Sequence, residues 1–111
     1  MRIDLRQARD RVTVIAPDGR LTVDTVSALR ESVRELVEGG ALHVIVDMSA
    51  VTFMDTVGLA GILGGMKSTR EQGGDLRIAG ANEMVREMLD MTALSRVILS
   101  YATVEDALRQ L

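Results

Sequence analysis

The sequence predicts a single α/β domain. Its sheet is mixed, with an N-terminal antiparallel hairpin followed by parallel strands, and about four helices pack on it. Three observations carry this reading. Short segments of alternating or continuous apolar residues recur between segments with helical spacing. The first two short segments follow each other directly, as in a hairpin, whereas each later one is separated from the next by a helical stretch, which implies parallel pairing. The 111 residues suffice for one core, so the span 1–111 reads as one domain.

Ile3 and Leu5 alternate with polar residues, as in a half-buried strand, and Arg9, Asp10 and Arg11 form a turn. Val12, Val14 and Ala16 alternate again, and Pro17, Asp18 and Gly19 bring turn chemistry that should end this second strand. Val26, Leu29, Val33, Leu36 and Val37 follow helical spacing, and Gly39 and Gly40 stop the helix. LHVIVDM at 42–48 is a nearly continuous apolar run, suited to a strand buried on both faces. A helix over about 57–70 comes next and ends near Gly73 and Gly74. Leu76, Ile78 and Ala79 give a short strand. Asn82 caps a helix running to about Asp90, and VILSY at 97–101 reads as the last strand. Thr103, with Asp106 three residues on, opens a terminal helix as a weak capping box. The order is ββαβαβαβα, and the functional surface is expected at the C-terminal ends of the parallel strands.

The helix at 57–70 raises a question. Leu59, Ile62, Leu63 and Met66 fall on one face and form its core stripe. The other side carries Val57, Ala60, Gly61 and Gly64, flanked by Gly58 and Gly65, with no charge before Lys67. Glycine inside a helix costs about 1 kcal/mol relative to alanine. Two explanations stay open: close packing against another element of the domain, or an outward surface, centred on Ala60, Gly61 and Gly64, on which another protein's backbone can come close. Asp55 is placed to cap this helix. Thr56 then sits in the first turn, where free backbone N–H groups favour an added anion such as a phosphate.

Composition removes several chemistries. Net charge is −3, and no basic cluster with interleaved aromatics points to direct nucleic-acid binding. With no cysteine there is no disulfide or thiolate metal site. GGMKST at 64–69 lacks the second glycine of a phosphate-binding loop, and its Lys67 lies deep in a helix. Asp47 ends a buried strand as a phospho-acceptor aspartate would, yet Asp4 has no acidic neighbour and no lysine follows Lys67. His43, the single histidine, is expected to be a satisfied structural residue. No apolar run reaches the length of a membrane span, and MRIDLRQARD lacks the apolar segment of a signal peptide. A cytoplasmic protein without membrane insertion, metal or cofactor is expected, and an enzyme is not.

The segment VIVDMSAVTFMDTVGLAGILGGMKSTREQGGDLRIAG resembles the core of STAS domains, and most of all those of bacterial anti-sigma factor antagonists. LDMTAL at 89–94 and GRLTVDTVSALRESV at 19–33 extend the likeness over nearly the whole chain. The resemblance implies a single STAS-like domain that acts as a switch. Its unphosphorylated form binds an anti-sigma factor that is also a Ser/Thr kinase, and so frees the sigma factor. The kinase phosphorylates the hydroxyl residue after the aspartate, which is Thr56 here, and a PP2C-type phosphatase resets it. Asp55, Val57 and Gly58 are then the neighbours of the phosphosite. Thr22, Asp24 and Thr25 fall on the partner-facing side. The chain departs from the family pattern at Val57, where a second hydroxyl is common, and at Thr22, where an aspartate is usual. The alternative within the same resemblance is a STAS subunit of another assembly, such as a bacterial lipid-transport ATPase complex.

Overall fold

The computed structural model describes residues Met1–Leu111. Strands β1 (Arg2–Arg9) and β2 (Val12–Leu21) form the expected antiparallel hairpin, turning through Asp10 and Arg11. Helix α1 (Val26–Glu38), strand β3 (His43–Asp47), strand β4 (Val51–Met54) and helix α2 (Thr56–Glu71) follow. The chain closes with β5 (Asp75–Ala79), α3 (Glu83–Met91), a 3₁₀ turn at Leu94–Arg96, β6 (Ser100–Tyr101) and α4 (Val104–Arg109). The sheet runs β1-β2-β3-β5-β6, antiparallel in the first pair and parallel thereafter.

Strand alternation divides the apolar residues between two faces. Ile15, Val44, Val46, Leu76 and Ile78 point to one face and are covered by Leu29 and Val33 of α1, Leu59, Ile62 and Met66 of α2, and Val85 and Leu89 of α3. Val12, Val14, Ile45 and Ala79 point to the other, where Ala107 of α4 packs. The large cluster is aliphatic apart from methionine, as a chain with one Phe and one Tyr requires. Burying one such side chain contributes about 1.5–3 kcal/mol.

Three boundaries differ from the sequence reading. First, Pro17, Asp18 and Gly19 do not end β2, which continues to Leu21. Gly19, at φ +104°, instead makes an irregularity where β2 changes partner. Residues 12–15 pair with β3, whereas Gly19, Arg20 and Leu21 pair with Val51, Phe53 and Met54 of β4. Second, β4 itself was absent from the expected order. It has only four residues, and its pairing is with a distant stretch of chain. Third, only Ser100 and Tyr101 of VILSY are strand, because Val97 and Ile98 close onto the preceding 3₁₀ turn through hydrogen bonds to the Leu94 carbonyl.

Candidate functional site

Strands β2 and β4 end side by side at Leu21 and Met54, and α2 starts immediately afterwards. This is the C-terminal edge of parallel strands, where open α/β sheets present their functional groups. The local sequence explains the geometry. Asp55 has extended backbone angles and caps α2: its Oδ1 accepts the Gly58 N–H at 2.8 Å, and its carbonyl accepts the Leu59 N–H at 3.0 Å. Its other oxygen, Oδ2, accepts the Val23 N–H at 3.1 Å. The Gly58 N–H is the leading cause that holds the Asp55 carboxyl below its ordinary value. Partial desolvation opposes it, and N–H groups of Val23 and Val57 reinforce it.

Thr56 is the first residue of α2 and is exposed, whereas Val57 is half-buried against the main core. Gly58 is buried. A side chain there would run into the Leu21 carbonyl, which also accepts the Asp55 N–H at 3.2 Å. The glycine therefore lets the start of the helix lie against the end of β2.

The turn between β2 and α1 forms the other wall. Thr25 Oγ1 accepts the Thr22 N–H at 2.9 Å and donates to the Arg20 carbonyl at 2.6 Å. The Thr22 carbonyl accepts the N–H groups of Thr25 and Val26. Asp24 is exposed and Thr25 half-buried, but Thr22 is only 8% exposed. Thr22 is thus a buried turn residue rather than a surface contact, which corrects its expected placement. The residue that does protrude is Val23, 62% exposed, beside the Asp55 carboxylate. Sequence reasoning missed it, because one valine between threonine and aspartate has no periodic signal.

The glycine face of α2 divides in two. Ala60 and Gly64 are exposed, as expected of an outward surface. Gly61 is buried, and a side chain there would run into Val26 Cγ2 of α1. Gly65 is buried too, with Leu76 Cδ1 3.0 Å from where its Cβ would lie. Gly61 therefore belongs to the seam between α1 and α2, a correction to its place on the outward surface. The reason is rotational: Gly58, Gly61 and Gly65 are spaced at i, i+3 and i+7, one helical stripe.

Other residues singled out in the sequence lie elsewhere. Asp47 Oδ1 accepts the Ser49 N–H at 3.0 Å, and Gly80 packs beside it. His43 opens β3 at the opposite end of that strand, and its buried Nδ1 has no hydrogen-bond partner within the chain. On α3, which the sequence marks by its Asn82 cap, Met91 is exposed, while Met84 and Met88 pack on the main core. No three His, Asp or Glu side chains come together as a metal site. No helix is long and apolar enough to cross a membrane.

The chain resembles known proteins over nearly its whole length. The family model described as STAS domain matches residues 5–107. An anti-sigma F factor antagonist of Paenibacillus polymyxa is 28% identical over 101 residues, covering 90% of this chain and 86% of the relative. An anti-sigma-B factor antagonist of Bacillus subtilis is 29% identical over 96 residues, 86% of each chain. Among solved structures, the Bacillus anti-sigma factor antagonist SpoIIAA superposes in its unphosphorylated form with a TM-score of 0.83 and 23% identity, over 98% of this chain and 95% of that one. Its phosphorylated form gives 0.77 and 21%, over 98% of each. At these identities the structural likeness speaks for the fold.

Proposed function

The chain belongs to the STAS domain family, and we propose that within it the protein is an anti-sigma factor antagonist, a binding protein rather than an enzyme, working in the cytoplasm. Its unphosphorylated form binds an anti-sigma factor that is also a Ser/Thr kinase, which frees the sigma factor. Phosphorylation of Thr56 ends that binding, and a PP2C-type phosphatase restores it. The relatives' descriptions support the antagonist role. The observation that carries the switch is the placement of Thr56: an exposed hydroxyl directly after the Asp55 cap, at the head of a stripe of α2 whose own residues Ala60 and Gly64 are exposed and uncharged.

The electrostatics follow from that placement. A phosphothreonine adds about −1.5 to −2 charges near pH 7. Its neighbour in the chain is the Asp55 carboxylate, which already occupies the Gly58 N–H. Remaining N–H groups of the first turn stabilise the phosphate in the free protein by about 0.3–1 kcal/mol. Docking strips its water, and an unpaired desolvated charge costs several kcal/mol. Each 1.4 kcal/mol is about tenfold in affinity, so a hundredfold loss of binding needs only part of that cost. Val23, Asp24 and Thr25 flank Thr56 through the hydrogen bond from Val23 to Asp55, and form the second part of the partner-facing surface.

The test is phosphopeptide mapping after incubation with the cognate anti-sigma factor kinase, followed by calorimetric titration of both forms with that partner. Phosphate on Thr56 and a loss of affinity of about a hundredfold are expected, with Thr56→Ala binding normally and resisting inactivation. Modification of Ser49 or Thr52 instead would sink the site assignment, and equal affinity of the two forms would sink the switch.

A further inference from the structure

The glycines of α2 do not share one explanation. At Gly58, Gly61 and Gly65 a side chain would meet Leu21, Val26 or Leu76, so each lets a neighbouring element come close. At Gly64 an added Cβ would have nothing within 4 Å, and the residue is exposed in mid-helix. Glycine there weakens the helix, and nothing inside the domain uses the space.

Gly64 opens onto a cavity of about 270 Å³ between α1 and α2, lined by Arg30, Val33, Arg34, Gly64, Gly65 and Ser68. In a protein of net charge −3 this groove carries two guanidinium groups. Arg30 takes part in none of the five ion pairs of the domain. Its stem and Nε lie over Gly61, with Nε 3.6 Å from where a Cβ would be, so the glycine leaves room for the arginine to reach across α2. Arg34 pairs with Glu31 at 3.1 Å, but both side chains are more than half exposed, and such a pair exchanges readily for another carboxylate.

We propose that this groove binds a carboxylate-bearing segment of a partner protein. Arginine presents a planar fork that matches carboxylate oxygens two at a time. Arg30 and Arg34 take the acidic side chains, Ser68 supplies a hydroxyl, and Gly64 lets the partner's backbone lie directly on α2. The missing Cβ argues for a chain rather than a small ion, since a small ion needs no such clearance. The groove lies eight residues along α2 from Thr56, about 12 Å at 1.5 Å per residue, and the proposal does not depend on Thr56 or its phosphorylation.

A capped hexaglutamate peptide serves as the probe, titrated at low ionic strength into the isotopically labelled full chain and followed by NMR. Expected are saturable shifts confined to the amides of Gly64, Gly65 and Ser68 and to the side chains of Arg30 and Arg34. Affinity should fall at least tenfold in Arg30→Gln/Arg34→Gln, and several-fold in Gly64→Ala, which remains folded because its added methyl group meets nothing. Shifts centred on Arg2, Arg6 and Arg9 of β1, or unchanged affinity in the double glutamine variant, would overturn the proposal. Unchanged affinity in Gly64→Ala would overturn the close approach of a backbone. Equally tight binding of acetate or inorganic phosphate at the same residues would overturn the assignment to a peptide segment.

Discussion

The Asp55 carboxylate holds the Val23 N–H at 3.1 Å across 32 positions of sequence while its other oxygen caps the helix at Gly58. One side chain therefore fastens two separate pieces of the site, the first turn of α2 and the turn that leads into α1. The loop that carries exposed Val23 and Asp24 is positioned by the same group that starts the helix bearing Thr56.

Removing that carboxylate should loosen both pieces. Asp55→Ala is expected to lower stability through loss of the helix cap, as measured by urea denaturation. Hydrogen exchange should show faster exchange at both Gly58 and Val23. Accelerated exchange at Gly58 alone would mean that the Val23 contact does not hold the loop.

The same group predicts an acid dependence. Its carboxyl lies below the ordinary value because backbone N–H groups, the Gly58 N–H foremost, stabilise the charged form. A group depressed on folding contributes stability above its unfolded pKa, about 3.9 for aspartate. That contribution is lost as pH falls through the lower folded value. The stability gap between the wild type and Asp55→Asn should therefore narrow on acidification below about pH 4. A gap that stays constant down to pH 2 would show that ionisation of Asp55 is not what stabilises the fold.

The glycines of α2 make a graded series. Gly64→Ala should stabilise the domain by about 0.5–1 kcal/mol, because it removes a helix penalty and its methyl group meets nothing. Gly61→Ala must displace Val26, a side chain, and should cost about 1–3 kcal/mol. Gly58→Ala must displace the Leu21 carbonyl, which is backbone and pinned by the Asp55 N–H, and should cost more than Gly61→Ala. Melting temperatures in the reverse order would refute the packing account.

Asn82 ties α3 to β4 in a similar way. Its Oδ1 accepts the Val85 N–H at 2.9 Å and its Nδ2 donates to the Val51 carbonyl at 3.2 Å. Asn82→Ala should lose both bonds and about 1–2 kcal/mol, whereas Asn82→Asp keeps the cap and loses only the donor. Chemical denaturation should place the aspartate variant between the wild type and alanine. If both variants melt alike, the bond to Val51 carries the whole effect.

Much of this molecule was legible in the chain because the signals are local. Helical spacing marks Val26 to Val37, alternation marks the first hairpin, and a side chain that can reach its own helix start marks Asp55, Asn82 and Thr103 as caps, all of which the structure realises. These depend on residues within a few positions of each other, so periodicity and side-chain type suffice. What only the tertiary structure decided depends on partners far along the chain. β4 exists because Gly19 redirects β2 onto it, and four residues carry no period that separates a strand from a loop. The two readings of the small-residue face could not be separated in sequence, because a glycine has no side chain to reveal what lies opposite. Val26 and Leu21 turn Gly61 and Gly58 inward, while open space leaves Gly64 outside. Val23 joined the site only through a hydrogen bond that spans two elements. Local chemistry thus determined which elements form, and long-range packing determined which of their faces remain free to bind.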